Sequence, residues 1–325
     1  MVYNQATDSN YLTSLLALSS PQFLKNLGDN YFNKRALLFL LKDNSQVTMM
    51  DGGTYIEVPL MVDGDSKGGS YDGYDKLNIA PKKGFVTAEV PWAHYYEPIT
   101  LAHTEIQRNS NDGKVLDIMA ARMTQSQNGL ENNVNKGLFS DGTGNGGKDI
   151  VGIKAMCEAS ATPTTTYMGI TSSTVAAWVN QYQGIAGTVM IAGLRDLFYS
   201  QTDGDDAPDI ILTNGTGFSL YEKYNLTSGA TIAYTNNKLA DNGFITLSFK
   251  GIPMTLDASC PITSGTVTQY YMLNSKYIGF KWGAMSTTPF SRVPDQMAEV
   301  SIISADCQLV TNNRRRQGLA VITTS

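Results

Sequence analysis

Residues 111–138 read NDGKVLDIMAARMTQSQNGLENNVNKGL and predict one long amphipathic helix. Apolar side chains recur at steps of three and four residues, and only Gln127 interrupts the row that they form on one side of a helix. The predicted helix core consists of Leu116, Met119, Met123, Leu130, Val134 and Leu138. At about 1.5 Å per residue this helix would be roughly 40 Å long. Because Gly129 and the many asparagines favour helix poorly, we expect packing to stabilise it.

The composition sets limits on the class of protein. A chain of 325 residues can form two domains, or one domain with large excursions. A formal charge of −5, with only 16% charged residues, argues against a surface that wraps nucleic-acid phosphates. No apolar run is long enough to span a bilayer, and no secretory signal is visible. Three isolated cysteines predict buried, reduced thiols in a chain made in a cytoplasm.

Upstream of the helix, the pattern changes from helical to extended. Residues 1–45 carry short helical patterns that favour an arm docked on another surface. Residues 56–62 and 86–92 alternate as half-buried strands, and each strand contains a proline, Pro59 or Pro91. Proline cannot donate to a strand ladder, which favours a two-stranded ribbon. Because an isolated ribbon is marginally stable in water, its apolar face needs another surface to lie on.

The segment between the two strands, residues 63–84, is much longer than a hairpin turn requires. It is rich in Gly, Asp and Lys, and Tyr71 and Tyr74 offer amphipathic contact area. Two interpretations stay open for this segment, a contact loop and a disordered surface loop.

The stretch after the helix, residues 140–148, reads SDGTGNGGK. Gly142, Gly144 and Gly147 match G-x-G-x-x-G, and Lys148 completes part of a P-loop pattern. Both motifs need a strand before the glycines and a helix after them, so that backbone N–H groups meet a phosphate. Here a helix comes first and an apolar run follows. We therefore predict a turn that ends the helix, and no cofactor.

The remainder predicts a mixed α/β or α+β arrangement. Helices are predicted near residues 175–182, 189–198 and 220–224, and strands at residues 209–213, 244–249, 252–256 and 270–282. Residues 301–310 and 318–324 predict two terminal strands joined by a hairpin turn, TNNRRRQ. Within that turn, Arg314, Arg315 and Arg316 are interpreted as a solvated turn, with contact to a neighbour or to nucleic acid as alternatives.

No reaction centre is predicted. The two histidines, His94 and His103, are nine positions apart, which is not a spacing typical of metal ligands. His94 is expected to be a packed histidine. Asp203, Asp205 and Asp206 predict an acidic surface turn, because the distant Glu of a calcium loop is missing. The sequence therefore favours a protein that is not an enzyme and has no metal or cofactor.

The order of these parts resembles a tailed-bacteriophage major capsid protein of the Hong Kong 97 fold. The resemblance lies in GGTYIEVPL at residues 52–60, YDGYDKL at 71–77, LFSDGTG at 138–144, IVGIKAM at 150–156 and RRRQG at 314–318. The arrangement of the segments along the whole chain carries it, since no single segment is specific.

This resemblance implies an α+β fold with a long spine helix. It implies an N-terminal arm at residues 1–46, an extended β-hairpin or E-loop at 47–100, and a peripheral domain containing the spine helix at 101–150. It further implies an axial domain at residues 151–290 and C-terminal strands of the peripheral domain at 291–325.

The function implied by the resemblance is self-assembly into hexamers and pentamers of an icosahedral shell. The shell would enclose double-stranded phage DNA without sequence-specific binding, and would be assembled in the bacterial host cytoplasm as a virion capsid. The implied partners are further copies of the chain, a separate scaffolding protein, a portal and, in some shells of this kind, a decoration protein, with no membrane. The implied intersubunit contacts are Ile56, Val58, Leu60, Tyr71, Tyr74, Val90, Trp92, Arg314, Arg315 and Arg316.

Two alternatives remain. An encapsulin-like bacterial nanocompartment would use the same fold to hold a cargo enzyme. A nucleotide-dependent enzyme using residues 142–148 is the more remote alternative.

Overall fold

The structure is a computed structural model, which describes residues 35–50, 52–61, 69–77, 84–108, 112–227, 238–241, 244–261, 267–283, 285–294 and 296–323. The helical patterns predicted in residues 1–34 lie outside this part of the chain. So do residues 62–68 and 78–83 of the long segment between the two predicted strands.

The described elements alternate between helices and strands. The helices are α1 (Ala36–Asp43), α2 (His103–Arg108), α3 (Asp112–Leu138), α4 (Ile153–Met156), α5 (Met190–Gln201), α6 (Gly215–Thr227) and α7 (Lys238–Asp241). The strands are β1 (Val47–Met49), β2 (Tyr55–Met61), β3 (Phe85–Pro91), β4 (Ala93–Ala102), β5 (Thr166–Tyr167), β6 (Ile170–Thr171), β7 (Gln181–Ala186), β8 (Ile210–Thr213), β9 (Thr246–Phe249), β10 (Ile252–Leu256), β11 (Val267–Leu273), β12 (Ile278–Trp282), β13 (Ser286–Thr287), β14 (Ser291–Arg292), β15 (Ala298–Thr311) and β16 (Gly318–Thr323).

The long helix predicted at residues 111–138 is confirmed as α3, which is 27 residues long. Five members of its predicted apolar row are buried in the main hydrophobic core: Met119, Met123, Leu130, Val134 and Leu138. The sixth, Leu116, lies in α3, but its side chain is outside the described part of the structure. The 3.6-residue period therefore identified the face that packs inward.

Two glycines in α3 show why this helix tolerates residues of poor helix propensity. A Cβ atom at Gly129 would lie 2.7 Å from Oε1 of Glu97, and one at Gly137 would collide with the Tyr95 hydroxyl. Both contacts come from β4, which crosses α3 closely; near Ser126, the Oγ atom donates to the carbonyl of Pro98 at 3.0 Å. The glycines permit this close approach, and packing offsets their cost of about 1 kcal/mol each relative to alanine.

The first sheet contains six described strands built around the long strand β15. One edge of β15 pairs with β4 along ten positions, and the other edge pairs in turn with β14, β13 and β12. Strand β1 adds to β12 in parallel. Ile99, Leu101, Ile303 and Ala305 point into the main core on one face of this sheet.

The second sheet has the order β7-β16-β11-β8-β10-β9 and is covered on both faces. Ile210, Leu212 and Tyr271 lie in the main core. Their neighbours along the same strands, among them Ile211 and Met272, lie in a second cluster beneath α5 and α6. Because both faces are buried, the sequence of β8 is a continuous apolar run. The strands predicted at residues 209–213, 244–249, 252–256 and 270–282 are confirmed, the last as two separate strands.

The prediction that residues 301–310 and 318–324 form a hairpin is wrong. Strand β15 belongs to the first sheet, whereas β16 crosses to the second and pairs there with β11 and β7. The domain boundary expected at residues 290/291 therefore does not separate the strands of the two sheets. Strand β12, before this boundary, joins the first sheet, and β16, after it, joins the second. Strand pairing depends on distant partners, which local turn signals do not report.

The helix predicted near residues 175–182 is also wrong, because this segment forms turns and then β7. The Trp178 indole donates to the carbonyl of Tyr167 at 3.1 Å and stacks on that ring with centroids 6.1 Å apart. Asn180 bonds the backbone of Glu158 in both directions. These side chain–backbone bonds and the pairing of β7 with β16 outweigh the local helical pattern.

Candidate intersubunit surfaces

The predicted two-stranded ribbon is confirmed as the β2–β3 hairpin, in which Pro59 faces Thr87 and Pro91 faces Tyr55. Its base is attached to the body by two hydrogen bonds: Nε2 of Gln308 donates to the Pro91 carbonyl at 2.8 Å, and the N–H of Glu89 donates to the Met168 carbonyl at 3.1 Å. The hairpin is therefore part of the folded subunit.

The inner face of the hairpin corrects one expectation from the sequence. Ile56, Leu60 and Val90 are between 0 and 2% exposed, because they pack into the main core of their own subunit. These three side chains are not available to a neighbouring copy. Val58 and Trp92 are half-buried against the same core. The subunit itself covers the face that we expected a second copy to cover.

The exposed apolar residues lie on the opposite face and at the far end of the hairpin. Met61 and Phe85 form the last cross-strand pair and are 78% and 82% exposed. Between these two strands in the sequence, every residue from 69 to 77 is exposed, including Tyr71, Tyr74 and Leu77. We call residues 69–77 the tip. Met61, Phe85 and Leu77 were not among the contacts expected from the sequence, although the alternation that places Ile56 inside also places Met61 outside.

The tip contains an ordered turn. The N–H of Asp75 donates to the Asp72 carbonyl at 2.8 Å, and the N–H of Asp72 donates to Oδ2 of Asp75 at 2.9 Å. Oδ1 of Asp72 also accepts from the N–H of Gly73. This turn presents Tyr71 and Tyr74 to solvent.

The arginine turn, Arg314–Arg316, corrects a second expectation. Arg314 is fully buried. Its Nε donates to the carbonyl of Met156 at 2.8 Å and its Nη2 to that of Ala155 at 3.1 Å, so the guanidinium caps the C-terminal end of α4. The guanidinium also lies over the Tyr167 ring, 5.2 Å from its centroid. Arg314 is therefore an internal donor and neither a solvated residue nor an intersubunit contact.

The other two arginines of the turn differ from Arg314. Arg316 is mostly buried; Nη1 donates to the carbonyl of Gln201, at the end of α5, and Nη2 pairs with Asp203 at 2.6 Å. Arg315 is exposed. Nearby, Lys276 pairs with Asp206 at 2.7 Å. The acidic turn predicted at residues 203–206 is thus held by two ion pairs. Lys276 lies in the connection from β11 to β12 and Arg316 in the connection from β15 to β16, and both connections pass from one sheet to the other.

A groove of about 670 Å³ lies between β4 and the C-terminal half of α3. In the described part of the chain β4 pairs only with β15, so its other edge, from His94 to Pro98, lines the groove. At the Pro98 end of this edge, the backbone carbonyl already accepts a hydrogen bond from the Ser126 hydroxyl. Asn133, Lys136 and Lys148 line the opposite side. We call this cavity the β4 groove.

Half-buried Tyr95 lines the β4 groove. Its hydroxyl accepts from the N–H of Ile150 at 3.3 Å. Burial, reinforced by the charge of Asp149, raises the pKa of Tyr95 to about 12, so the phenol stays neutral. His94, expected to be packed, is instead 72% exposed and pairs with Asp306 at 2.6 Å.

The glycine-rich loop, residues 140–148, follows a helix and contains Asn145 and Gly146 in the left-handed region. Asp141 holds the loop, because its Oδ1 accepts from the N–H and hydroxyl of Thr143 and its Oδ2 pairs with Lys154 at 2.8 Å. The hydrogen bonds from Lys154 and Thr143 hold the pKa of Asp141 well below its usual range. The order helix, loop and four-residue helix differs from the strand, loop and helix of a phosphate-binding loop.

Cys157, Cys260 and Cys307 are buried and free, and burial raises the pKa of Cys157 to about 12. No group of three His, Cys, Asp or Glu side chains within the described ranges could hold a metal ion. None of the described helices is both long and apolar enough to cross a membrane.

Comparison with known proteins gives a fold. No protein-family model matches the chain. No curated protein matches it either.

Solved structures do match along most of the chain. The capsid subunit of cyanophage A-1(L) is 16% identical, covers 86% of this chain and 90% of its own, and superposes with a TM-score of 0.64. The procapsid of satellite phage P4, which includes a size-determination protein, matches at 12% identity over 93% and 91% of the two chains, with a TM-score of 0.51. An encapsulin of Synechococcus elongatus matches at 11% identity over 86% and 84%, with a TM-score of 0.51.

At these identities the likeness establishes the fold. Two capsid structures and an encapsulin share the arrangement of helices and sheets described above. The α+β fold predicted from the sequence is therefore confirmed, and it is a fold that phage capsid structures share.

Proposed function

We propose that this chain is the major capsid protein of a tailed bacteriophage, and that its copies form hexamers and pentamers of an icosahedral shell around double-stranded DNA. The observation that carries the proposal is that the cyanophage capsid likeness spans 86% of this chain and 90% of that one. In this proposal the protein is structural, located in the virion and assembled in the host cytoplasm. Contact with DNA is non-specific, and the formal charge of −5 suits a wall that encloses DNA without gripping it.

The exposed apolar surface supports self-assembly. Met61 and Phe85 at the last pair of the hairpin, and Tyr71, Tyr74 and Leu77 in the segment between its strands, are 59 to 105% exposed. A monomeric protein rarely leaves such a set uncovered, whereas an interface between subunits would bury it. We assign contacts with a neighbouring subunit to these residues. From the contacts that the resemblance implies, we keep Val58, Trp92 and Arg315 as well.

Each part of the chain then has a role. We assign residues 1–46, of which 1–34 lie outside the described part of the chain, to an arm and residues 47–100 to the E-loop. The first sheet with α3 forms the peripheral domain, and the second sheet with α5 and α6 forms the axial domain. A separate scaffolding protein, a portal and, in some particles, a decoration protein complete the shell.

Electron microscopy of the purified protein in negative stain tests the proposal. Closed shells, formed alone or with a co-expressed scaffolding protein, are the expected result. A chain that stays monomeric under both conditions and at high concentration would contradict it.

A deletion tests the E-loop assignment. Removing residues 63–84 should leave a soluble subunit with unchanged circular dichroism that forms no normal shells. Normal shells from the shortened protein would contradict the assignment. A matched substitution, Lys223→Ala on α6, should leave shell formation unchanged.

The encapsulin likeness supports a second candidate, a bacterial nanocompartment. Particles isolated from the native source separate the two candidates. A capsid should contain DNA and be accompanied by tail or portal proteins, whereas a nanocompartment should contain one cargo enzyme. For the remote nucleotide-dependent alternative, wild type and Lys148→Ala should show equal, negligible binding of ATP and GTP.

A further inference from the structure

Asparagine is followed by glycine at four places in the sequence, residues 128, 145, 214 and 242. In this pair the side-chain carbon Cγ of the asparagine is close along the chain to the backbone nitrogen of the glycine, and glycine has no Cβ to obstruct the approach of the two atoms. The fold decides whether they meet. Asn128, Asn145 and Asn214 lie in the described part of the chain, in three different environments, whereas Asn242 lies outside it.

The pair at Asn214 is held by its side chain. Asn214 is 2% exposed and immediately precedes α6. Its Oδ1 accepts from the N–H of Gly217 at 2.8 Å, and its Nδ2 donates to the Pro261 carbonyl at 3.5 Å. Rotation of this amide toward the nitrogen of Gly215 would break both hydrogen bonds and leave buried polar groups without partners, which is costly.

The pair at Asn128 is restrained by its backbone. Asn128 is exposed, but it lies in the interior of α3, where each N–H belongs to the ladder of helical hydrogen bonds. A Cβ atom at Gly129 would lie 2.7 Å from Oε1 of Glu97, so β4 packs closely on this turn of the helix. Reaction of the Asn128 side chain with the Gly129 nitrogen would require local opening of a helix whose apolar face lies in the main core.

The pair at Asn145 has neither restraint. Asn145 and Gly146 are exposed and adopt left-handed backbone angles, with φ of 50° and 71°. The Asn145 side chain makes no hydrogen bond to any residue that the structure describes. A Cβ atom at Gly146 would meet nothing within 4 Å, so this side of the loop is open.

The ends of the glycine-rich loop are fixed, but its middle is not. Asp141 pairs with Lys154 at 2.8 Å, and the N–H of Gly152 donates to the Ser140 carbonyl at 3.2 Å, which joins the two ends. Between these anchors, glycines flank Asn145 on both sides and allow its backbone to rotate at little steric cost. Such a segment opens locally while the core stays folded.

We propose that Asn145 is a site of spontaneous deamidation, a reaction in which the chain modifies itself and water is the only co-reactant. The backbone nitrogen of Gly146 attacks Cγ of Asn145, and the new C–N bond closes a five-membered succinimide ring. The bond from Cγ to the amide nitrogen breaks, and that nitrogen leaves as ammonia with the proton of the Gly146 N–H. Water then opens the ring at either carbonyl, which leaves a carboxylate as aspartate or as isoaspartate.

The product places a carboxylate on the wall of the β4 groove. Asn145 lines this groove together with Lys136 and Lys148, and neither lysine makes an ion pair among the described residues. Deamidation therefore lowers the positive charge on this side of the groove. Because the new charge and both lysines are exposed, the stability of the fold should change little.

Mass spectrometry of the full-length chain tests the inference. Unassembled folded protein is held at mildly alkaline pH, which favours loss of the backbone proton, and is sampled over several weeks. Trypsin cleavage after Lys136 and Lys148 releases residues 137–148, in which Asn145 is the only amide side chain. This peptide should gain one mass unit, and Asn145 should react at least about tenfold faster than Asn214.

Unfolding the chain in denaturant gives the first control. Asn128, Asn145 and Asn214 should then react at rates within about threefold of one another, because their local chemistry is the same and the fold no longer separates them.

Asn145→Gln is the matched variant. It keeps a neutral amide at the same place, but its longer side chain would have to close a six-membered ring, which forms more slowly. Residues 137–148 of the variant should gain no mass over the same period, and its thermal midpoint should match wild type. An isoaspartyl methyltransferase should label residues 137–148 of aged wild type and not those of the aged variant.

The outcomes are separate from those that test the proposed function, because the measurement uses the folded subunit whether or not it assembles. A gain of mass at Asn145 in the folded protein that is absent from Asn145→Gln supports the inference. The inference is wrong if Asn145 reacts no faster than Asn214 in the folded protein, or if the variant peptide gains the same mass. Either result leaves the capsid function standing.

Discussion

The arginine turn and the tip are both short, polar segments at chain reversals, and their environments are opposite. Arg314 is fully buried and its guanidinium bonds the carbonyls of Ala155 and Met156, whereas Tyr74 in the tip has no cover at all. The last carbonyls of a helix have no partner within the helix, so a donor placed beside them is held inside. In the tip, the hydrogen bonds of the turn join only Asp72, Gly73 and Asp75 to one another. Unsatisfied backbone groups, rather than side-chain polarity, decide which of the two segments is interior.

The largest expected loss of unfolding free energy comes from substituting Arg314 in the arginine turn. Arg314→Ala removes the donor to two carbonyls at the end of α4 and leaves a cavity, so we expect the free energy of unfolding to fall by about 3–5 kcal/mol. Arg315→Ala, one residue away and exposed, should change it by less than about 0.5 kcal/mol. Denaturant unfolding of the two variants makes the measurement, and equal losses would mean that the buried contacts of Arg314 have no special weight.

The next effect lies within the hairpin that bears the tip. Ile56→Ala deletes a fully buried side chain and should cost about 2–5 kcal/mol, whereas Met61→Ala on the same strand should cost less than about 0.5 kcal/mol. Shell formation should show the reverse order for Met61→Ala, with normal folding and impaired assembly. Thermal unfolding and microscopy of both variants supply the two readouts. A folding defect in Met61→Ala would show that its side chain packs within the subunit.

A smaller loss of unfolding free energy is expected at Arg316, the partly exposed member of the arginine turn. Arg316 bonds the last carbonyl of α5 and Asp203, but its side chain remains 14% exposed. Arg316→Ala should therefore lower the free energy of unfolding by about 1–2 kcal/mol, between the losses for positions 314 and 315. The same denaturant series tests the ranking, and a loss as large as that of Arg314→Ala would contradict it.

The smallest effect concerns Asp141, a polar anchor that is neither buried like Arg314 nor free like the tip. Its pKa in the folded state is depressed, so its contribution is present above the unfolded pKa of about 3.9 and lost as the pH falls below it. Because the pair with Lys154 is partly exposed and screened, Asp141→Asn should cost about 0.5–1 kcal/mol at pH 7. The difference from wild type should shrink as the pH falls below 4 in a series of thermal melts. A difference independent of pH would assign the effect to shape alone.

The accuracy of sequence reasoning followed the range of the forces involved. The row from Met119 to Leu138 identified α3, and alternation identified β2 and β3, because both patterns are local consequences of backbone period. The same alternation placed Ile56 on a buried face, but it did not show which molecule would cover that face. The charge run at Arg314–Arg316 was interpreted from side chains alone, and the carbonyls that bind it come from residues 155 and 156.

By itself, the sequence determined the elements: one long helix with an apolar stripe, a proline-bearing ribbon, a turn after the helix and a set of strands. Only the tertiary structure decided the partners of those elements: that β16 leaves β15 for the second sheet, that the hairpin packs on its own subunit, and that Arg314 turns inward while the tip stays outside. The physical reason is that period and propensity act over a few residues. Strand pairing, burial and the satisfaction of backbone carbonyls can depend on groups far apart in the chain, as with Arg314 and the Met156 carbonyl, which are 158 positions apart.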